Sequence, residues 1–151
     1  ALQHDPRLEG KKYGGSFEHL HTHRYYDEYH HYENGAPAIK SYEGINYAHY
    51  IASGNYGTAL SGLHHGYGLT TKMAASCTVG HSHKFSYYVK QEARPNPIHG
   101  LVAGCFKGKD EHWAGQANRE WRKGVVIKRN IDRGNYDLQW ISMEQLEQDY
   151  G

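Results

Sequence analysis

Hydrophobic positions are spread unevenly along the chain. Val, Ile, Leu and Phe together number 24 of 151 residues, with five in residues 1–43 and nineteen in residues 44–151. The total is below the ~20% that ordinary domains exceed, although fourteen tyrosines can supply part of the missing burial. We therefore divide the chain into a polar leading segment rich in histidine and tyrosine, residues 1–42, and a more orthodox globular part, residues 43–151.

The leading segment carries one helical signal. Residues 1–15 have the composition of a loop, and Ser16 is a suitable N-cap for a short helix in "SFEHLHTHRYYDEY". "ENGAP" at 33–37 is typical of a turn. The segment is therefore predicted to be loop with one short helix.

The second part predicts mostly strands. Short apolar stretches bounded by turn residues indicate strands at 43–51, 76–80, 84–89 and 99–106, and a glycine-weakened helix is predicted at 62–75. The intervening "GNYGTALSG" reads as loop. "DRGN" between two alternating stretches predicts a hairpin over 123–141, and Ser142 with Gln145 forms a capping box that opens a last helix. These elements predict an α+β fold or a layered sandwich with peripheral helices.

Charge and cysteine content limit the classes of protein to which the chain can belong. Lys and Arg number 17 and Asp and Glu 16, so the net charge of +1 gives no electrostatic case for nucleic-acid binding. The tyrosines could form a stacking surface for bases, but no basic stripe accompanies them. No apolar run approaches the ~20 residues that cross a bilayer, so no membrane association is expected. Cys77 and Cys105 lack paired spacing, which favours reduced, buried thiols and a cytoplasmic protein.

"TVGHSHKFSYY" (78–88) contains the most specific chemical signal. His81 and His83 lie two residues apart at the end of a predicted strand, so both rings can project to one side. Gly80 before them permits a tight turn. Two neutral imidazoles fixed in this way suit divalent metals such as Zn, Mn, Fe or Ni, whereas the simpler alternative is a pair of polar residues on a turn.

His49 follows its own predicted strand, 32 residues before His81, with a predicted helix between them. A lone histidine after one strand and Gly-His-Ser-His after a later strand resemble the C-terminal half of the calcineurin-like metallophosphoesterases. The resemblance covers residues 43–148, and the stretches "GLVAGCF", "WAGQANREWRKGVVI" and "YDLQWISMEQL" are similar to the closing strands of phage and bacterial members.

This resemblance implies an incomplete metallophosphoesterase-like β-sandwich and a site for hydrolysing phosphate esters. His49 and His81 would ligate one metal of a binuclear pair, and His83 would ligate the other. Asn55, in the loop after His49, lies where relatives bind substrate. Such a metal pair clamps the phosphate and activates a bridging water.

The sequence departs from the family in its first half. The family has Asp-x-His, Gly-Asp and Asn-His motifs there, and none occurs before residue 43. Asp110-x-His112 comes after the Gly-His-Ser-His motif, so we treat it as chance. "ALQHDPRLEG" resembles the stretch just after the Asn-His motif in relatives, so the chain is expected to begin just downstream of the missing ligands. Without the bridging carboxylate, three imidazoles should hold at most one metal, and no general acid is evident.

The remaining histidines have weaker signals. His19, His21 and His23 would share one face only on a strand, and on the predicted helix their rings spread around the axis, which favours a surface role. His30 and His31 lie among tyrosines, and His64 and His65 fall in the predicted helix, where a structural role is expected.

The sequence leaves three functions open. The chain is either the C-terminal portion of a metal-dependent phosphoesterase, completed by a second polypeptide that supplies the missing half, or a non-catalytic structural protein on a degenerate phosphoesterase scaffold. The second alternative predicts a homo-oligomer, a filament or a virion-associated subunit. A third alternative is a histidine-rich, pH-responsive module.

Overall fold

The structure, a computed structural model, describes residues 21–28, 30, 32 and 35–151. The chain divides into two compact units, residues 1–31 and residues 32–151. This division lies eleven residues before the composition boundary that the sequence suggested between residues 42 and 43. The predicted loop at 1–15, the first part of the predicted helix, His19 and His31 lie outside the described residues.

The described part of the first unit contains a short 3₁₀ helix, Thr22–Arg24. The Arg24 N–H donates a hydrogen bond of 2.9 Å to the His21 carbonyl. The His21 and His23 side chains are exposed, and their rings meet edge to face at 6.0 Å. This is a local turn rather than the two-residue alternation of a strand, so His21 and His23 do not line one strand face.

The second unit contains strands and two helices. Their bounds are β1 Lys40–Tyr42, β2 Ile45–Ala48, β3 Ala52–Ser53, β4 Thr58–Ala59, α1 His65–Met73, β5 Ser76–Val79, β6 Phe85–Lys90, β7 Ile98–Ala103, β8 Gly124–Asp132, β9 Asn135–Ser142 and α2 Met143–Tyr150. A 3₁₀ segment, His112–Glu120, precedes β8 and is kinked at Gly115.

Five strands form the main sheet, in the order β1-β2-β5-β7-β6. Strands β2, β5 and β7 are parallel neighbours, whereas β1 and β6 pair antiparallel at the two edges. The long connection from β2 to β5 contains α1, as a parallel crossover requires. Strands β8 and β9 form a separate two-stranded hairpin.

One face of the main sheet is apolar and packs against α1. Cys77 and Val79 of β5 and Val102 of β7 join Leu69 of α1 and Ile51 in the hydrophobic core. Helix and sheet approach each other closely at Gly66 of α1 and Gly100 of β7. A Cβ added to Gly100 would lie only 2.0 Å from the Gly66 carbonyl oxygen. Only glycine allows this contact, which fixes the position of the first turn of α1.

The opposite face of the sheet packs against the β8–β9 hairpin and combines aromatic and polar residues with the buried Ile45 and Leu101. Tyr136 of β9 is buried against His99 of β7, with ring centroids 4.4 Å apart. The Lys128 ammonium of β8 donates hydrogen bonds to the Thr78 hydroxyl of β5 (2.6 Å) and the Tyr47 hydroxyl of β2 (3.1 Å). Strand alternation assigns successive residues to the two faces, so the second unit is layered as helix, sheet and hairpin.

The mixed α and β architecture agrees with the predicted α+β class. The hairpin turn and the Ser142 cap are confirmed, since the Ser142 hydroxyl accepts from the Gln145 N–H at 3.1 Å. Both cysteines are free. Two expectations were wrong: residues 54–62, predicted as loop, contain strand β4, and the leading segment, predicted as loop with one short helix, contains strand β1. Within the described residues, no helix is long and apolar enough to cross a membrane.

Candidate functional site

The site begins where two neighbouring parallel strands end. Ala48, the last residue of β2, is paired with Val79, the last residue of β5. His49 and Gly80 therefore leave the sheet side by side, and the Gly80 N–H donates a hydrogen bond of 3.1 Å to the His49 carbonyl. The carboxyl ends of parallel strands are a common location of binding sites in sheets of this kind.

The His49 and His81 rings meet directly. His49 Nε2 lies 3.2 Å from His81 Nδ1, and the ring centroids are 4.8 Å apart. The Tyr32 hydroxyl lies 2.5 Å from His49 Nδ1, and the Tyr50 ring packs against both imidazoles. His49 is thus held through both of its ring nitrogens. Histidines that bind a metal through one ring nitrogen are usually oriented by a hydrogen bond at the other nitrogen.

The electrostatic surroundings favour a neutral His49. Partial burial lowers the pKa of His49 below its usual 6.5, and the neighbouring charges of His81 and His83 lower it further. A neutral imidazole offers a nitrogen lone pair, which a cation needs and a protonated ring cannot supply. The ring is therefore in its ligand-competent form at neutral pH.

The His83 ring contacts other residues than the His49 and His81 rings do. This ring packs edge to face on Trp121 at 4.5 Å, and the His83 carbonyl accepts a hydrogen bond of 2.9 Å from the Arg122 N–H. Partial burial lowers the pKa of His83, and so do the nearby charges of Lys107 and His81. His83 is thus close enough to His81 to be coupled electrostatically, but its ring is not part of the His49–His81 contact.

The backbone of the Gly-His-Ser-His stretch is strained. His81 and His83 have φ of 62° and 58°, in the left-handed region that favours glycine. This conformation costs ~1–2 kcal/mol at each non-glycine residue. Such strain is found most often at functional sites, where the conformation is needed to aim a side chain.

The predicted metal site can be compared with this geometry. Two nitrogens bound to one metal at ~2.1 Å lie ~3.0–3.4 Å apart, and the His49–His81 separation of 3.2 Å is within this range. Among the described residues, no group of three or more histidine, cysteine or acidic side chains is arranged to hold a metal ion. His49 and His81 therefore fit part of a metal site, and the role of all three histidines stays a prediction.

The other candidate residues are dispersed. Asn55 is exposed in the turn between β3 and β4, and its predicted role in substrate binding stays a prediction. Asp110 pairs with Lys123 and not with a histidine. His99 is buried and hydrogen-bonded to the Tyr87 hydroxyl (2.6 Å) and to the Asn135 side chain (2.8 Å), which explains it as an interior residue.

The sequence reasoning missed a pocket beside this site. It has a volume of about 430 Å³ and is lined by Ser61, Gly62, Leu63, His65, Ser82 and Lys84. His65 is buried, whereas its neighbour His64 is exposed. The histidine doublet at the start of the predicted helix was the available signal, but the sequence did not indicate which of the two rings points inward.

Comparison with known proteins gives no further assignment. No protein-family model matches the chain, and neither a curated protein nor a solved structure matches it.

Proposed function

We propose that this chain provides the histidine part of a metal-dependent phosphoesterase site, within an incomplete metallophosphoesterase-like sandwich. The observation that carries the proposal is the convergence of His49 and His81 at the ends of two adjacent parallel strands, with 3.2 Å between their nearest ring nitrogens. The strained backbone at both histidines of the Gly-His-Ser-His stretch supports it.

The residues have distinct roles in this proposal. His49 and His81 would hold a divalent metal of the Mn, Fe, Zn or Ni type, and Tyr32 would orient His49 through Nδ1. His83 would turn from Trp121 toward a second metal. When bound, such a metal pair supplies a water of lowered pKa and polarises the phosphate ester.

The proposal requires carboxylate ligands from a second polypeptide. Three imidazoles carry no negative charge, whereas binuclear hydrolytic sites bridge their metals with an acidic residue. The edge strand β1 offers a surface for such a partner, because all three of its residues are exposed and the Tyr42 side chain is 64% exposed. An accessible edge strand is a ready site for the addition of another strand.

Metal content tests the proposal. The chain, purified without an affinity tag, is equilibrated with Mn²⁺ or Zn²⁺, desalted and analysed by elemental mass spectrometry. We expect close to one equivalent in the wild type and at least a tenfold weaker affinity in H49A and H81A, since each variant removes one of two ligands. H112A is the matched control, because His112 is exposed and outside the site.

The result also decides the next step. If the wild type binds metal through these histidines, pull-down followed by sequencing should recover a partner that supplies acidic ligands, and phosphodiester hydrolysis should appear in the complex alone. Equal metal content in the wild type, H49A and H81A would overturn the proposal.

A non-catalytic assembly subunit is the second candidate function. The observation in its favour is the number of aromatic side chains that are more than half exposed, among them Tyr42, Tyr56, Phe106 and Trp113. Aromatic residues are enriched in contacts between proteins relative to the rest of the protein surface. Analytical ultracentrifugation of metal-free chain tests it, with a concentration-dependent oligomer as the expected result and a monomer as the contrary one.

A further inference from the structure

The pocket beside α1 contains two polar groups that have no partner. His65 is only 6% exposed, and its Nε2 has no hydrogen-bond partner among the described residues. The same holds, within the described residues, for the buried hydroxyl oxygen of Ser82. Leaving a buried polar group unpaired destabilises the folded chain, because the group loses its hydrogen bond to water and gains none in return. Both residues line this pocket, whereas the Tyr136 hydroxyl and the Trp140 nitrogen, the other unpaired buried atoms among the described residues, do not. A ligand in the pocket would give both the His65 nitrogen and the Ser82 hydroxyl a partner.

The charge of the pocket identifies the kind of ligand. Lys84 brings a cation to the lining, and among the six lining residues none is acidic. Glu120 pairs with the Lys84 ammonium from outside the lining, and a ligand must compete with this carboxylate. Because both side chains are more than half exposed, their ion pair is worth little and is easily exchanged.

The position of the pocket adds a further attraction for negative charge. His65 is the first residue of α1, and the N-cap residue His64 forms no side-chain capping hydrogen bond. The N-terminus of a helix carries a partial positive charge and favours anions. The unpaired His65 nitrogen and Ser82 hydroxyl therefore lie where an anion would be stabilised.

We propose that this pocket binds an oxyanion of the phosphate type, with His65, Ser82 and Lys84 as its contacts. Ser82 and Lys84 donate hydrogen bonds to the oxygens, and His65 donates from Nε2. The pocket volume of about 430 Å³ also admits an organic group attached to the phosphate, with Leu63 as its apolar contact. This binding site does not depend on the proposed metal site, because none of its three contacts is a proposed metal ligand.

Calorimetric titration with inorganic phosphate in the presence of a chelator tests this proposal. The chelator ensures that a bound metal cannot account for the binding. We expect millimolar or tighter affinity in the wild type and at least a fivefold weaker affinity in S82A and K84Q. Imidazole NMR signals of His65 should shift with the same affinity. Titration with glycerol 2-phosphate distinguishes the source: tighter binding assigns the pocket to an organic phosphate, and equal binding assigns it to the free ion.

Two control variants make the test specific. H64A removes the exposed neighbour of His65, and K109Q removes an exposed lysine that does not line the pocket. Both should bind phosphate as the wild type does. The proposal is overturned if the wild type shows no binding, or if S82A and K84Q bind as tightly as the controls. Circular dichroism melting of each variant verifies that it is folded.

Discussion

Lys128 allows a quantitative test of how much it costs to bury a charge between the main sheet and the β8–β9 hairpin. Its ammonium lies between the Tyr47 and Tyr136 rings, 4.3 Å and 4.8 Å from their centroids, and its hydrogen bonds go to neutral hydroxyls. Burial lowers the pKa of Lys128 from 10.5 to about 8, and the nearby Cys77 opposes this only in part. The folded chain therefore holds the charged lysine at a cost in stability.

The sign and size of the effect come from proton linkage. The unfolded chain binds the proton more tightly, so the free energy of unfolding is lowest below about pH 8 and rises as the pH increases from there toward 10.5. For these two pKa values the gain between about pH 7 and about pH 9.5 is ~2 kcal/mol. Lys128 is only half-buried, and water screens its charge, so we expect ~1 kcal/mol.

Urea unfolding at several pH values measures this gain. The substitution Lys128→Met keeps most of the side-chain volume and removes the titrating group, and Lys109→Met is the control at an exposed position. The difference in unfolding free energy between the wild type and Lys128→Met should change by ~1 kcal/mol in favour of the wild type over this interval. Because the comparison is a difference, titrating groups that do not interact with Lys128 cancel. Cys77 does interact with it, but burial raises the pKa of Cys77 to about 11, above the pH interval tested. Parallel curves for the wild type and Lys128→Met would refute the reasoning.

Three further predictions concern other parts of the second unit. Gly100→Ala should destabilise the chain by ~3 kcal/mol, the upper end of the usual cost of overpacking, because the added Cβ meets the Gly66 carbonyl at 2.0 Å. Gly108→Ala, whose added Cβ would lie 3.5 Å from its nearest neighbour, should unfold like the wild type in urea. Burial lowers the pKa of His99, so stability should be lost as the pH falls below about 6.5, and thermal melts should show a smaller acid dependence in His99→Gln. Ser142→Ala should cost ~1 kcal/mol in the same melts, since it removes the cap of α2, and an unchanged melting temperature would contradict this.

Local signals account for the elements that the sequence predicted correctly. The β8–β9 hairpin and the Ser142 cap depend on residues only a few positions apart, so their chemistry is visible in a short stretch. The two-residue strands β3 and β4 were not predicted, because their glycine-rich surroundings have the composition of a loop.

The candidate site, too, could be predicted from the sequence only in part. The position of His49 and His81 after two strands could be read from the chain, but their contact depends on the parallel register of β2 and β5, which no local pattern specifies. The pocket depends on a longer-range fact. His65 is buried next to Gly66, where α1 approaches Gly100 of β7, a contact between residues 34 positions apart.

The shortage of aliphatic residues also finds its explanation in the two faces of the sheet. The face toward α1 is conventional, with Leu69, Val79 and Val102 in a small aliphatic core. The face toward the hairpin buries Ile45 and Leu101 together with Tyr136 and His99, so aromatic and imidazole rings supply part of its packing. Polar groups are tolerated in an interior when they are paired, as the nitrogens of the His99 ring are. The His65 nitrogen and the Ser82 hydroxyl are unpaired, and among the described residues the same is true of the Tyr136 hydroxyl and the Trp140 nitrogen. Of these four, His65 and Ser82 belong to residues that line one shared pocket, and this is the reason to seek their missing partner in a ligand.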